Sequence, residues 1–205
     1  MIVHKILNEI FSTYSNVAVL RALQDNKLGA SGREISKKAG LSAPSCLQAL
    51  TKLEKLNLVI RQKGGRDHLF TLNIDSVILN EAILPILDFE RNLLSKIQSE
   101  IKKTIGKLSL SLILFGSVAR IEENYESDFD VAVIVKNSEN KLKIEDKLTT
   151  LILNLKKRFG INLSTIIFTQ KEFVKKIKSK SPPANNIVED GIVFSGLSIR
   201  RILND

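Results

Sequence analysis

The chain has 205 residues, of which 43% are apolar and 26% charged, and its 31 Lys and Arg against 22 Asp and Glu give a net charge of +9. This mixture excludes a disordered chain, and the lone cysteine, Cys46, excludes an internal disulfide framework and points to a reducing, cytoplasmic setting. No apolar run approaches the roughly 18 residues of a membrane span, and residues 1–11 lack the form of a signal peptide.

Residues 3–25 read as two helices. Ile6, Leu7, Ile10 and Phe11 are spaced for one apolar face. Ser15 or Asn16 is expected to cap the second helix, with Val17, Leu20 and Leu23 turned inward. Residues 29–32 form a break, and residues 33–38 a short helix carrying Ile35 inward. Gly40, Leu41 and Ser42 make a tight turn. Ser42 is a good N-cap and Pro44 suits a first helical turn. The helix that follows runs to about Leu56, with Leu47, Leu50, Leu53 and Leu56 expected inward. Residues 58–62 and 68–72 are two extended runs, joined by hairpin chemistry at residues 63–67.

A long helix comes next. Pro85 is tolerable only near its start; Ile86, Leu93 or Leu94, Ile97, Ile101 and Ile105 recur at helical spacing, and Gly106 ends it. From residue 108 the pattern changes. Residues 108–115, 131–135, 161–168 and 192–194 read as strands, residues 141–158 and 171–178 as helices, and residues 179–186 as a polar loop. Three segments result: 1–75, 76–107 and 108–205. The first holds 11 basic and 6 acidic side chains, a net of +5, which suits a polyanionic partner.

The order helix, helix, turn, helix, hairpin over REISKKAGLSAPSCLQALTKLEKLNLVIR and GGRDH resembles the winged helix-turn-helix of many small bacterial and archaeal regulators. The resemblance implies duplex DNA as partner, with the second helix of the motif in the major groove. Its outward face would carry Ser42, Ser45, Gln48, Thr51, Lys52 and Lys55. Arg61, Lys63, Arg66 and His68 on the wing would meet phosphates or a minor groove. Cys46 fits a packing role.

The run LILFGSVARIEENYESDFDVAVIV carries a second pattern. A strand ends in Gly116 and Ser117, where a bare backbone can approach a ligand. About ten residues later Asp128 and Asp130 alternate at the start of the next strand, which predicts that both carboxylates share a side. Such a pair suits a magnesium ion carried on a triphosphate. The segment is similar to the nucleotidyltransferase superfamily, whose members include the palm of DNA polymerase beta and minimal nucleotidyltransferases. The matching motifs are GS, VAR and SDFD. The resemblance implies that Gly116 and Ser117 hold phosphates of a nucleoside triphosphate, with ATP the expected one and Arg120 adding charge. It implies that Asp128 and Asp130 bind Mg²⁺ and serve catalysis. Two departures stand out. Ile121 replaces the usual glycine after Arg120, and Ser164 falls where active members place a third carboxylate.

The expected architecture is therefore two-domain α+β: an N-terminal winged helix-turn-helix, a long connecting helix, and a C-terminal nucleotidyltransferase-like α/β domain with a small mixed sheet. Three readings of the C-terminal site stay open. It transfers a nucleotide to a protein (as antitoxin-like members do), a nucleic acid or a small molecule; it binds nucleotide as a sensor; or it is an interaction surface. A homodimer on DNA also stays open.

Overall fold

A computed structural model describes residues 4–26, 28–64 and 67–204. The chain divides into two compact units, Met1–Asn92 and Leu93–Asp205.

In the first unit, α1 (Ile6–Ile10) and α2 (Tyr14–Gln24) are followed by β1 (Ala30–Ser31), α3 (Gly32–Lys38) and α4 (Ala43–Lys55). The hairpin β2 (Val59–Gly64) and β3 (Asp67–Leu72) completes an antiparallel sheet of order β1-β3-β2. Thr13, not Ser15 or Asn16, caps α2, accepting from the Asn16 amide. Asn16 is buried instead, and its side-chain amide donates to the Glu9 and Ile10 carbonyls at the end of α1. A buried amide needs such partners, and two orphan carbonyls supply them. Ser31 and Glu34 form a capping box on α3, and Ser42 caps α4 as expected.

The inward face of α4 is Cys46, Ala49, Leu50 and Leu53. Leu47 is 54% exposed, contrary to the sequence expectation. A leucine every third residue advances about 300° per step, so it drifts off any one face of a helix with 3.6 residues per turn. Cys46 is buried with its thiol near the Gly32 carbonyl, and burial pushes the thiol pKa up, which suits packing.

A π-helical turn at Leu79–Ile83 leads into α5 (Leu84–Ile105). Pro85 is its second residue, where a missing N–H is best tolerated. Leu79, Ile83 and Leu87 join the core of the first unit, and Arg21 pairs there with Glu90, Nη2 to Oε1 at 2.7 Å. Ile97, Ile101 and Ile105 join the core of the second. The helix expected as a connector thus supplies apolar residues to both cores.

The second unit continues with β4 (Ser111–Phe115), α6 (Gly116–Arg120), β5 (Phe129–Val135), α7 (Ser138–Phe159) and β6 (Leu163–Thr169). It ends with α8 (Gln170–Lys178), α9 (Pro182–Asp190), β7 (Ile192–Gly196) and α10 (Ile199–Asn204). The sheet order is β6-β5-β4-β7, with β5 and β6 parallel and the other pairs antiparallel. Strand alternation sorts its side chains into two cores. Leu112, Leu114, Val131 and Val133 pack with Ile101, Ile144, Leu151 and Leu155 from α5 and α7. Ile113, Ala132 and Ile134 pack with Phe173, Ala184, Ile187 and Ile202 from α8, α9 and α10. Most of the loop expected at residues 179–186 is helical: Ser181 is the N-cap residue of α9 and Pro182 its first residue. No helix among the described residues is long and apolar enough to cross a membrane.

Candidate functional site

In the second unit, β4 delivers the chain to Gly116, which adopts φ +75°. A Cβ built there stands 2.5 Å from Asp130 Oδ2, closer than side chains tolerate. The left-handed backbone favours glycine, and an added Cβ would push the Asp130 carboxylate off its seat. The antiparallel register explains the approach, because Phe115 pairs with Asp130.

Asp130 is the second residue of β5, and Asp128 lies just ahead of the strand. Phe129 between them is buried in the core on the α5 and α7 side. Asp128 is exposed and Asp130 half-buried. Ahead of them a tight local turn holds residues 124–127: the Asn124 amide donates to Ser127 Oγ, and the Glu126 amide donates to Asn124 Oδ1. Across the parallel pair, the register partner of Asp130 is Ser164. Among the described residues, no group of three or more His, Cys, Asp or Glu side chains could hold a metal by itself.

Ser117 is half-buried in α6, and its carbonyl accepts from the Glu122 amide. Arg120 is committed elsewhere. Its guanidinium donates to Glu122 Oε2 at 2.8 Å and to Asp190 Oδ2 at 2.9 Å, and those carboxylates raise its pKa. The Asp190 contact is not visible in the sequence, where the start of its helix has the composition of a polar loop. Ile121 adopts φ 59° and ψ 40° and is 87% exposed. A β-branched residue in that region is strained.

In the first unit, the side chains expected to read DNA divide by their existing partners. The Ser42 hydroxyl accepts from the Ser45 amide and donates to Ser45 Oγ at 2.9 Å. Thr51 Oγ1 donates to the Leu47 carbonyl at 2.8 Å. Lys52 Nζ contacts Glu9 at 2.8 Å and Ser12 Oγ at 2.9 Å. Gln48 and Lys55 are exposed, with no side-chain partner among the described residues. On the wing, Lys63 pairs in register with His68 and Arg61 with Phe70, so Arg61, Lys63 and His68 share one face of the hairpin. The Arg61 guanidinium lies 5.8 Å from the Phe70 ring centroid. Arg66 lies outside the described residues.

Residues 94–193 match the nucleotidyltransferase domain family, and residues 14–60 match the winged helix-turn-helix DNA-binding family. The chain thus carries a winged helix-turn-helix followed by a nucleotidyltransferase domain. Over 92 residues it is 33% identical to the Methanocaldococcus jannaschii protein named "Putative protein adenylyltransferase MJ1305", covering 44% of this chain. The match spans 61% of the length of that relative. Among solved structures, it is similar to a "predicted DNA-binding transcriptional regulator from E. coli", at 24% identity and a TM-score of 0.36, over 43% of this chain and 85% of that one. It is also similar to the Staphylococcus aureus MepR–DNA complex, at 19% identity and a TM-score of 0.33, over 51% of this chain and 93% of that one.

Proposed function

We propose that this protein is a DNA-binding regulator whose nucleotidyltransferase domain binds a magnesium–nucleoside triphosphate, ATP foremost, without efficient transfer. One observation carries the reading: Asp130 is seated on the Gly116 turn, and its register partner on β6 is a serine rather than an acid.

The residues fit a magnesium ion that arrives on its nucleotide. Magnesium takes one or two carboxylates and fills its remaining positions with phosphate oxygens and water. Asp128 and Asp130 would hold it, and when bound it would offset phosphate charge and polarise the α-phosphorus. The bare backbone at Gly116 lets the Asp130 carboxylate sit against the chain next to Ser117, whose hydroxyl can donate to phosphate oxygens. Arg120 adds little, since two carboxylates already hold it. Ser164 supplies neither negative charge nor a base for an acceptor hydroxyl. Loss of a positioned base typically lowers a rate by about 10²–10⁴-fold. On the DNA side, α4 would enter the major groove while Lys55, Arg61 and Lys63 meet phosphates.

A second reading, nucleotide transfer to a protein acceptor, is favoured by the similarity to the adenylyltransferase-named relative. Thermal melting with and without Mg–ATP separates the outcomes. The proposal expects a melting temperature raised by Mg–ATP in the wild type and unmoved in Asp130→Ala, because binding to the native state stabilises it. No rise in the wild type overturns nucleotide binding. A protein band labelled from triphosphate, and lost in both Asp128→Ala and Asp130→Ala, establishes transfer instead. Duplex binding that weakens steeply with added salt supports the DNA role, and its absence at low salt removes it.

A further inference from the structure

The outward face of α4 offers little for reading bases once its internal bonds are counted. The Ser42 hydroxyl donates to Ser45 Oγ and that of Thr51 to the Leu47 carbonyl, and the Lys52 amine is held by Glu9 and Ser12. Apart from the Lys55 amine, assigned to phosphate, two groups on this face carry no internal bond among the described residues and can address a base edge, the Gln48 amide and the exposed Leu47 side chain. Together with Pro44, Thr51, Lys52 and Lys55 they line a shallow groove of about 570 Å³. Leu47 sits mid-helix at 54% exposure, while its neighbours Cys46, Ala49 and Leu50 are buried. Each group has one good complement in a major groove. A glutamine amide pairs bidentately with adenine N6 and N7, and the thymine 5-methyl is the apolar group displayed there.

We infer that Leu47 and Gln48 are the specificity-determining residues of the reading head, and that they select A·T pairs: Gln48 takes an adenine edge and Leu47 packs on a thymine methyl. The inference rests on the proposal that α4 enters the major groove, and it deepens that proposal by naming the base pair. Lys55, Arg61 and Lys63 then contribute affinity without sequence preference. A protein partner docking on the same leucine is the competing occupant, and it predicts no response to the thymine methyl.

The test uses the full-length protein and a duplex selected from a random library at low salt. Each thymine of the selected site is replaced in turn by deoxyuridine, which removes only the methyl group. At one or two positions the replacement weakens wild-type binding about fourfold, the worth of one buried methyl. Leu47→Ala binds the thymine and deoxyuridine duplexes equally and keeps its melting temperature, since Leu47 is not part of the core. Gln48→Ala loses tenfold or more of its preference for one adenine. Wild-type binding unchanged by every deoxyuridine overturns the inference while leaving DNA binding intact. A thymine preference that survives in Leu47→Ala also overturns it. Failure to bind any duplex in a salt-dependent manner removes the underlying DNA reading as well, and is distinct from both.

Discussion

Asp130 on β5 and Ser164 on β6 are register partners across the one parallel pair of the sheet, so an acid at position 164 would stand beside the carboxylate that rests on Gly116. Ser164→Asp tests whether that spot is a ligand position. Without divalent metal, two like charges at neighbouring strand positions lower stability by about 0.2–1 kcal/mol. With Mg²⁺ the sign should reverse, because a divalent cation held by Asp128 and Asp130 would offset the added charge. The melting temperature should therefore respond more to Mg²⁺ in Ser164→Asp than in the wild type. An equal response would show that position 164 shares no ligand space with Asp130.

Gly116→Ala should damage the same site through its backbone. The new Cβ meets Asp130 Oδ2 and is placed on a left-handed residue, so the expected loss is about 1–3 kcal/mol of stability. Part of that loss is the clash with Asp130 itself. Gly116→Ala combined with Asp130→Ala should lose less than the sum of the two single changes, as measured by chemical denaturation. Strict additivity would mean that backbone strain alone accounts for the effect.

The order of elements was legible because punctuation and periodicity agreed: Ser42 with Pro44 at the start of α4, Gly106 after α5, and Gly116 after β4. What the sequence hid was of two kinds. Helical phase was misread at Leu47, because leucines three apart look like a face while the buried set is Cys46, Ala49, Leu50 and Leu53. Long-range partners were invisible as well. No local pattern reports that Asp190 holds Arg120, that Glu9 and Ser12 hold Lys52, or that Asn16 closes the end of α1. The register that sets Ser164 beside Asp130 was reachable only through the family resemblance.

Partnering also divides the lysines of the reading head. Lys55→Ala and Lys63→Ala should each reduce the slope of log affinity against log salt by about 0.9, the value for one released counterion. Lys52→Ala should leave the slope unchanged, since its amine already neutralises Glu9. Titration of binding over a range of salt concentrations reads each slope directly. An equal decrease for all three would mean that the Glu9 pair opens on DNA.

Acid sensitivity should arise partly at helix starts. The Ser31 amide donates to the Glu34 carboxylate, and the Thr169 amide to that of Glu172, and each bond holds its carboxyl pKa below the ordinary value. A carboxylate depressed in the folded state stabilises the protein above its unfolded pKa, about 4.3 for glutamate, and that contribution is lost as pH falls through the lower folded value. Glu34→Gln with Glu172→Gln keeps an acceptor at each cap but removes the titration. Melting temperature should then fall less steeply below about pH 4.3 than it does in the wild type. An unchanged acid limb would assign the loss to other carboxylates.

Ile121 ends α6 in the left-handed region, where the family pattern carries glycine. The turn itself is well bonded, because the Ile121 amide reaches the Val118 carbonyl and the Glu122 amide reaches the Ser117 carbonyl. The side chain is exposed and adds almost no packing, so the residue keeps the strain and gains little from burial. A left-handed conformation costs an L-residue about 1–2 kcal/mol, part of which is returned when glycine loosens the unfolded chain. Ile121→Gly should therefore raise stability by about 0.5–1 kcal/mol while leaving the Gly116 turn in place. Denaturant midpoints measure the gain, and a parallel Mg–ATP melt shows whether binding is retained. A destabilised Ile121→Gly protein would mean that the isoleucine side chain makes a contact worth more than the strain it carries.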